Sequence, residues 1–188
     1  VRNASARLIT LCTGNAARSV MAAYMLEHWG RRLGVSLEVV SAGTHVVEGQ
    51  PMGMRTRAAL ASIPELGELP VARHRSTQLS PAEVAKADLI VAMEADHVRF
   101  VRRHHPDAAD RCATLRQLCI VLDGPGDTPG SGLGRLHLEG LPLDPSEDVA
   151  DPAGGDVEVY VACAHELWSL TEQLARRLSA RLSRAGLS

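Results

Sequence analysis

Cys12 and Arg18 are the residues of this 188-residue chain whose types and spacing point most directly to chemistry. The apolar run Leu8-Ile9-Thr10-Leu11 ends in Cys12. Thr13-Gly14-Asn15-Ala16-Ala17 follow, and Arg18 and Ser19 then open a helical pattern. That order sets a thiol at the carboxyl end of a strand, beneath a loop whose backbone N–H groups can converge. A guanidinium stands at the loop's far end, beside a helix N-terminus. Each part favours an anion and a thiolate. The bare spacing is a weak signal, because a free cysteine is often a small core residue; the loop composition sharpens it. Gly14 and Asn15 are types that tolerate the positive φ of a tight anion-cradling loop. Ser19 can cap the helix or donate its hydroxyl to the thiolate. The implied reaction is attack of Cys12 on phosphorus. Arg18 forks onto two equatorial oxygens, and the amides of Thr13 to Arg18 take the remaining charge. The leaving oxygen needs a proton. By sequence alone Asp144, Asp148, Asp151 and Asp156 compete to supply it, with Asp144-Pro145 and Asp151-Pro152 both readable as turns.

The elements around this loop must hold it at the end of a sheet. Arg7 to Leu11 reads as a strand, Ser19 to about Arg32 as a helix ending near Gly34, and Leu37 to Ser41 as a second strand. Met54 to Ser62 reads as a helix, and Ser80-Pro81-Ala82-Glu83 as a capping box with proline at the first helical position. Asp88 to Met93 is a buried strand, and Glu94 to about His104 is a helix that Pro106 helps to stop. A fourth strand is expected within Ala113 to Leu122, where helix is the alternative. Residues 124 to 145 are rich in Gly and Pro and read as a long loop. Val157, Tyr160, Val161, Ala164, Trp168, Thr171, Leu174, Leu178 and Leu182 keep helical spacing into a long last helix. Strands alternating with helices imply a parallel sheet covered on both faces, with ligands at the carboxyl ends of its strands. The expected fold is thus α/β, a three-layer doubly wound sheet of four parallel strands.

Cys12-Thr13-Gly14-Asn15-Ala16-Ala17-Arg18-Ser19 resembles the phosphate loop of the low-molecular-weight protein tyrosine phosphatases, and that of their structural relatives, the thioredoxin-coupled arsenate reductases. Further islands follow in family order: Ser41-Ala42-Gly43-Thr44 at the second strand's end, His74-Arg75-Ser76-Thr77-Gln78-Leu79, Ala87-Asp88-Leu89-Ile90-Val91-Ala92-Met93, and Asp151-Pro152. The resemblance implies a flavodoxin-like phosphatase fold and a cofactor-free, metal-independent phosphomonoester hydrolase. In it Cys12 would be the nucleophile and carry a phosphocysteine intermediate. Arg18 would bind the phosphoryl group together with Thr13, Gly14, Asn15, Ala16, Ala17 and Ser19. Asp151 would be general acid and then base. It also implies that Asn15, Ser19, Ser41 and His74 hold the loop through hydrogen bonds. One domain spanning 1–188 is expected, with about 123–149 as an inserted loop that has no counterpart in the family and could shape substrate entry.

Two departures bear on activity. The family's second loop cysteine is Ala17 here, so an oxidised Cys12 has no partner within the loop. Ala153-Gly154-Gly155 follow Asp151-Pro152, and Val46-Val47 stand where another wall residue is usual, so an aromatic pocket wall is missing. Tyr24, Trp29, Phe100, Tyr160 and Trp168 all fall in expected helices, where core packing explains them. A phosphorylated protein or a small phosphoester is therefore the expected substrate, and arsenate reduction is the enzymatic alternative. That alternative needs a resolving cysteine where Met93 stands; Cys112, Cys119 and Cys163 read more simply as ordinary cysteines. A zinc site from His104, His105, Cys112 and Cys119 fits no common ligand spacing. A net charge of -2 gives no electrostatic case for nucleic acid or an anionic membrane. No apolar run is long enough to span a bilayer, and no signal-peptide pattern is present. Four scattered cysteines and a working thiolate fit a reducing compartment, so the cytoplasm is expected. A monomer or weak dimer is expected, and Val1 at the start suggests numbering from inside a longer chain.

Overall fold

The computed structural model describes residues 5–122, 133 and 135–185. Its strands are β1 (Ser5–Cys12), β2 (Ser36–Gly43), β3 (Leu89–Ala92) and β4 (Cys112–Thr114). They form one sheet in the order β2-β1-β3-β4 with every pairing parallel. The helices are α1 (Arg18–Leu33), α2 (Met54–Ala61), α3 (Pro81–Lys86), α4 (Ala95–His104), α5 (Leu115–Val121) and α6 (Val157–Ala185). This is the flavodoxin-like doubly wound arrangement. β1 can be central because it is apolar on both sides. Leu8 and Cys12 join the core beneath α1, α2, α5 and α6, while Ile9 and Leu11 join the core beneath α3 and α4.

α6 buries Ala164, Leu167, Thr171, Leu174, Leu178 and Leu182, a stripe of helical period that packs it against α1, α2 and α5. Trp29 and Trp168 meet there with ring centroids 4.4 Å apart, so these two aromatics do join helix to helix. α1 stops where Gly34 adopts φ 71, and the Val35 amide donates to Gly30 O at 3.0 Å. Glycine takes that left-handed turn without a Cβ penalty.

Three expectations need adjustment. The fourth strand is only Cys112–Thr114, and the rest of the expected run is α5. Thr114 and Gln117 cap each other's backbone, and that box starts a helix where the apolar run alone suggested a strand. At α3, Ser80 Oγ accepts from the Glu83 amide at 3.3 Å, but the Glu83 carboxylate pairs with Arg7 of β1 at 2.6 Å. The box is therefore half made. Much of the expected long loop lies outside the described residues; the described part contains short 3-10 turns at Leu138–Gly140 and Pro145–Glu147.

α1 leaves β1 on one side of the sheet and α4 leaves β3 on the other. β1 and β3 are neighbours, so their carboxyl ends flank a crevice. That switch point is where such sheets bind ligands, and Cys12 is the last residue of β1.

Candidate active site

The loop from Cys12 to Arg18 is shaped by what surrounds it. Thr44 and His45 donate their amides to Cys12 O and Thr13 O, each at 2.9 Å. Gly43 makes this approach possible, because a Cβ there would lie 2.5 Å from Thr13 O and 2.9 Å from Asn15 N. Asn15 is the loop's hinge, with φ 50. Its carbonyl accepts from His74 Nε2 at 2.9 Å and Ser76 Oγ at 3.0 Å. Burial lowers the His74 pKa, although the bond to Asn15 opposes it. Thr56 Oγ1, in α2, donates to Ala16 O at 2.9 Å. With its carbonyls drawn outward in this way, the loop keeps its amides free. The N–H groups of Thr13 to Ala17 donate to no acceptor among the described residues. Ala17 offers no side-chain cap to α1, so the helix N-terminus is open as well.

Proton positions around the thiol follow from one unambiguous donor. The Thr77 amide donates to Asn15 Oδ1 at 2.9 Å, which turns Asn15 Nδ2 toward Ser19 Oγ at 3.0 Å. Ser19 Oγ is then an acceptor for Asn15, and its own proton is free for Cys12 Sγ, 3.0 Å away. Thr10 Oγ1, on β1, donates to Ser19 O at 2.7 Å and ties the strand to the start of α1.

Arg18 is 2% exposed, which demands that its charge be matched. Nη1 donates to Glu94 Oε1 and, at 2.8 Å, to Val149 O; Nη2 pairs with Asp151 Oδ2 at 2.8 Å. The segment 148–151 is itself docked on the turn between β3 and α4. Val149 N donates to Met93 O at 2.8 Å, and Ala95 N donates to Asp148 Oδ1 at 2.7 Å. These contacts separate the competing aspartates. All four accept from a backbone amide, Asp144 from Ser146, Asp148 from Ala95, Asp151 from Ala153 and Asp156 from Val159. Asp151 alone of the four reaches Arg18, and its side chain is 43% exposed.

Glu94, His97 and Val149 carry no motif that marks them in the sequence; their signal is positional, at the first turn beyond β3 and just before the Asp-Pro pair. Ser41, expected to hold the loop, instead lines a cavity of about 230 Å³ with Tyr24, Glu27, Arg73 and His74. It pairs with Thr10 in the sheet, two positions short of Gly43, and its side chain faces α1. Cys112 and Cys119 pack in separate cores, on opposite faces of the sheet. Burial pushes the Cys112 thiol up to about 12 and Cys119 up to about 11. Burial, with the Glu166 carboxylate second, pushes Cys163 up to about 12. No group of three or more His, Cys, Asp or Glu side chains among the described residues is placed to hold a metal ion.

The family model described as low molecular weight phosphotyrosine protein phosphatase matches residues 7–120. A protein-arginine-phosphatase of Geobacillus stearothermophilus is 33% identical over 172 residues, 92% of this chain and 95% of the relative. A solved arginine phosphatase structure from that organism aligns at a TM-score of 0.71 and 31% identity, covering 93% of this chain and 94% of the other. The low molecular weight protein-tyrosine phosphatase A of Mycobacterium tuberculosis is 32% identical over 180 residues, 90% of this chain and 91% of the relative. An arginine phosphatase mutant solved with its active-site serine phosphorylated aligns at 0.71 and 26% identity, covering 92% of this chain and 95% of the other. Matched by the family model over more than half its length, this chain belongs to the low molecular weight phosphotyrosine protein phosphatases.

Proposed function

We propose that this chain is a cysteine-dependent protein phosphatase working through a phosphocysteine intermediate. The observation that carries the reading is the convergence of Cys12 Sγ, the unpaired amides of Thr13 to Ala17, and an Arg18 whose Nη2 meets Asp151. Cys12 Sγ attacks phosphorus in line, the S–P bond forms, and the P–O bond to the leaving group breaks. The loop amides and Arg18 hold the equatorial oxygens, and this preorganised charge is the main source of acceleration. Asp151 gives its proton to the departing oxygen. It then takes a proton from water, whose oxygen attacks phosphorus and displaces the thiolate. The phosphorylated serine in the related structure supports a covalent phosphoenzyme.

Two substrate classes are suggested by the relatives, which are tyrosine and arginine phosphatases. Phosphotyrosine in proteins is the first reading. Phosphoarginine, where a P–N bond is cleaved instead, is a second reading that the pocket wall favours. Ala153, Gly154 and Gly155 beside Asp151 offer no ring for a phenyl group to stack on. Arsenate reduction is not favoured, because the other three thiols are buried and held protonated, whereas a relay needs thiolates.

The test is turnover of matched phosphotyrosine and phosphoarginine peptides by wild type, Cys12→Ser and Asp151→Asn. Cys12→Ser should abolish turnover. Asp151→Asn should lower kcat by about a hundredfold to ten-thousandfold. Turnover that survives Cys12→Ser would overturn the covalent mechanism. The ratio of kcat/KM for the two peptides assigns the substrate.

A further inference from the structure

We propose that His97 is a positioning residue for the reaction: it braces the loop between Thr13, next to the nucleophile, and Glu94, which grips Arg18. The argument begins from a donor whose direction is fixed. The Glu94 amide donates to His97 Nδ1 at 3.0 Å. That nitrogen therefore carries no proton, and Nε2 carries it. Nε2 lies 3.0 Å from Thr13 Oγ1, so the ring donates and the threonine accepts. The Thr13 hydroxyl proton is then free to point away from the ring, out of the protein, where Thr13 is exposed.

The second arm of the brace is the Glu94 side chain. Its Oε1 accepts from Arg18 and its Oε2 lies 3.6 Å from His97 Nε2. One buried ring thus touches Thr13, the residue after Cys12, and lies beside the carboxylate that holds Arg18 at the loop's far end. Its geometry parallels the path from Thr77 through Asn15 and Ser19 to Cys12, but it enters from the opposite side of the crevice. A structural role as the cap of α4 would need only the Nδ1 contact; the Nε2 contact with Thr13 serves nothing in α4.

Side-chain amides separate the two contacts. Asn places its amide near the Nδ1 position and can still accept from Glu94 N. Gln reaches the Nε2 position and can still donate to Thr13, but abandons the cap. If His97 acts through Thr13, His97→Asn should lower kcat/KM for an aryl phosphate about tenfold, as loss of one oriented hydrogen bond in a site does. Thr13→Val should lose a similar factor, with Thr13→Ser restoring it. The double variant His97→Asn with Thr13→Val should be no worse than either alone, and His97→Gln should keep most of the activity.

The opposite ranking, with His97→Asn unimpaired and His97→Gln impaired, would overturn the proposal, as would losses that multiply in the double variant. Thr13 is exposed and its variants do not disturb the core, so full activity in Thr13→Val would overturn it even if His97 variants failed to fold. The proposal rests on the phosphatase reading. A wild type that hydrolyses no phosphoester refutes that reading alone. Inorganic phosphate affinity, measured by calorimetry on the same variants, then gives the same ranking without turnover.

Discussion

Acidification should weaken the fold through His97 by an amount that its surroundings set. The ring is 2% exposed, and burial, with the positive Arg18 second, pushes its pKa from 6.5 down to about 4. Asp148, Asp151 and Asp96 pull it back upward without overcoming that. In an unfolded chain the same ring titrates near ~6.5. Between the two values the unfolded state binds a proton that the folded state refuses. Stability is therefore full above about pH 6.5 and falls as pH drops toward about 4. The separation, 6.5 less about 4, is about 2.5 units at roughly 1.4 kcal/mol each. At pH about 4, with the folded ring half protonated, the loss comes to about 3 kcal/mol. His28, His74 and His105 are lowered by burial too, so the measurement is a difference. Urea unfolding of wild type and His97→Asn is followed from about pH 8 to about pH 4. Asparagine does not titrate, so wild type should lose about 3 kcal/mol relative to the variant across that range. A gap that stays constant refutes the neutral buried ring. A wild type that gains on acidification means instead that His97 pairs as a cation with Glu94 Oε2, 3.6 Å away.

Gly43→Ala should cost about 1–3 kcal/mol, since its Cβ would meet the backbone at Thr13 O and Asn15 N as well as the Val46 side chain. It should also lower kcat/KM far more than that stability loss alone explains; thermal melts and turnover on one preparation check both, and wild-type activity would contradict the close approach. Arg18→Lys cannot fork to Glu94, Val149 O and Asp151 together. It should lower kcat/KM by about a hundredfold to a thousandfold and quicken amide exchange in 149–151, and unchanged exchange would show that this segment does not depend on the guanidinium.

The loop was legible because its information is local. Cys12 through Ser19 is contiguous, and the apolar run before it and helical pattern after it identify β1 and α1. The sheet class followed from alternation. β4 was harder: three residues carry little periodicity, and Thr114 with Gln117 switches the chain to helix inside one apolar run. Glu83 sits where a capping box predicts a backbone contact, yet a cation on β1 takes it, which only the folded sheet reveals. Ser41 matched a motif by position while its side chain went to a cavity beside α1. Glu94 and His97 lay hidden for the converse reason. Their partners are 76 and 84 residues distant in sequence, and nothing local in Glu94-Ala95-Asp96-His97 says what α4 will meet.

The docking of 148–151 onto the turn after β3 has a consequence for the order of synthesis. A ribosome delivers the thiol, its loop and the arginine first; the carbonyl and carboxylate that hold that arginine come only after β3, α4 and β4 have been made. In the proposed mechanism, a nascent or truncated chain ending before Val149 would carry the nucleophile without its proton donor, and a guanidinium lacking two of its three protein acceptors. On the proposed mechanism, the site is complete only once residues 149–151 have been made, after every strand of the sheet.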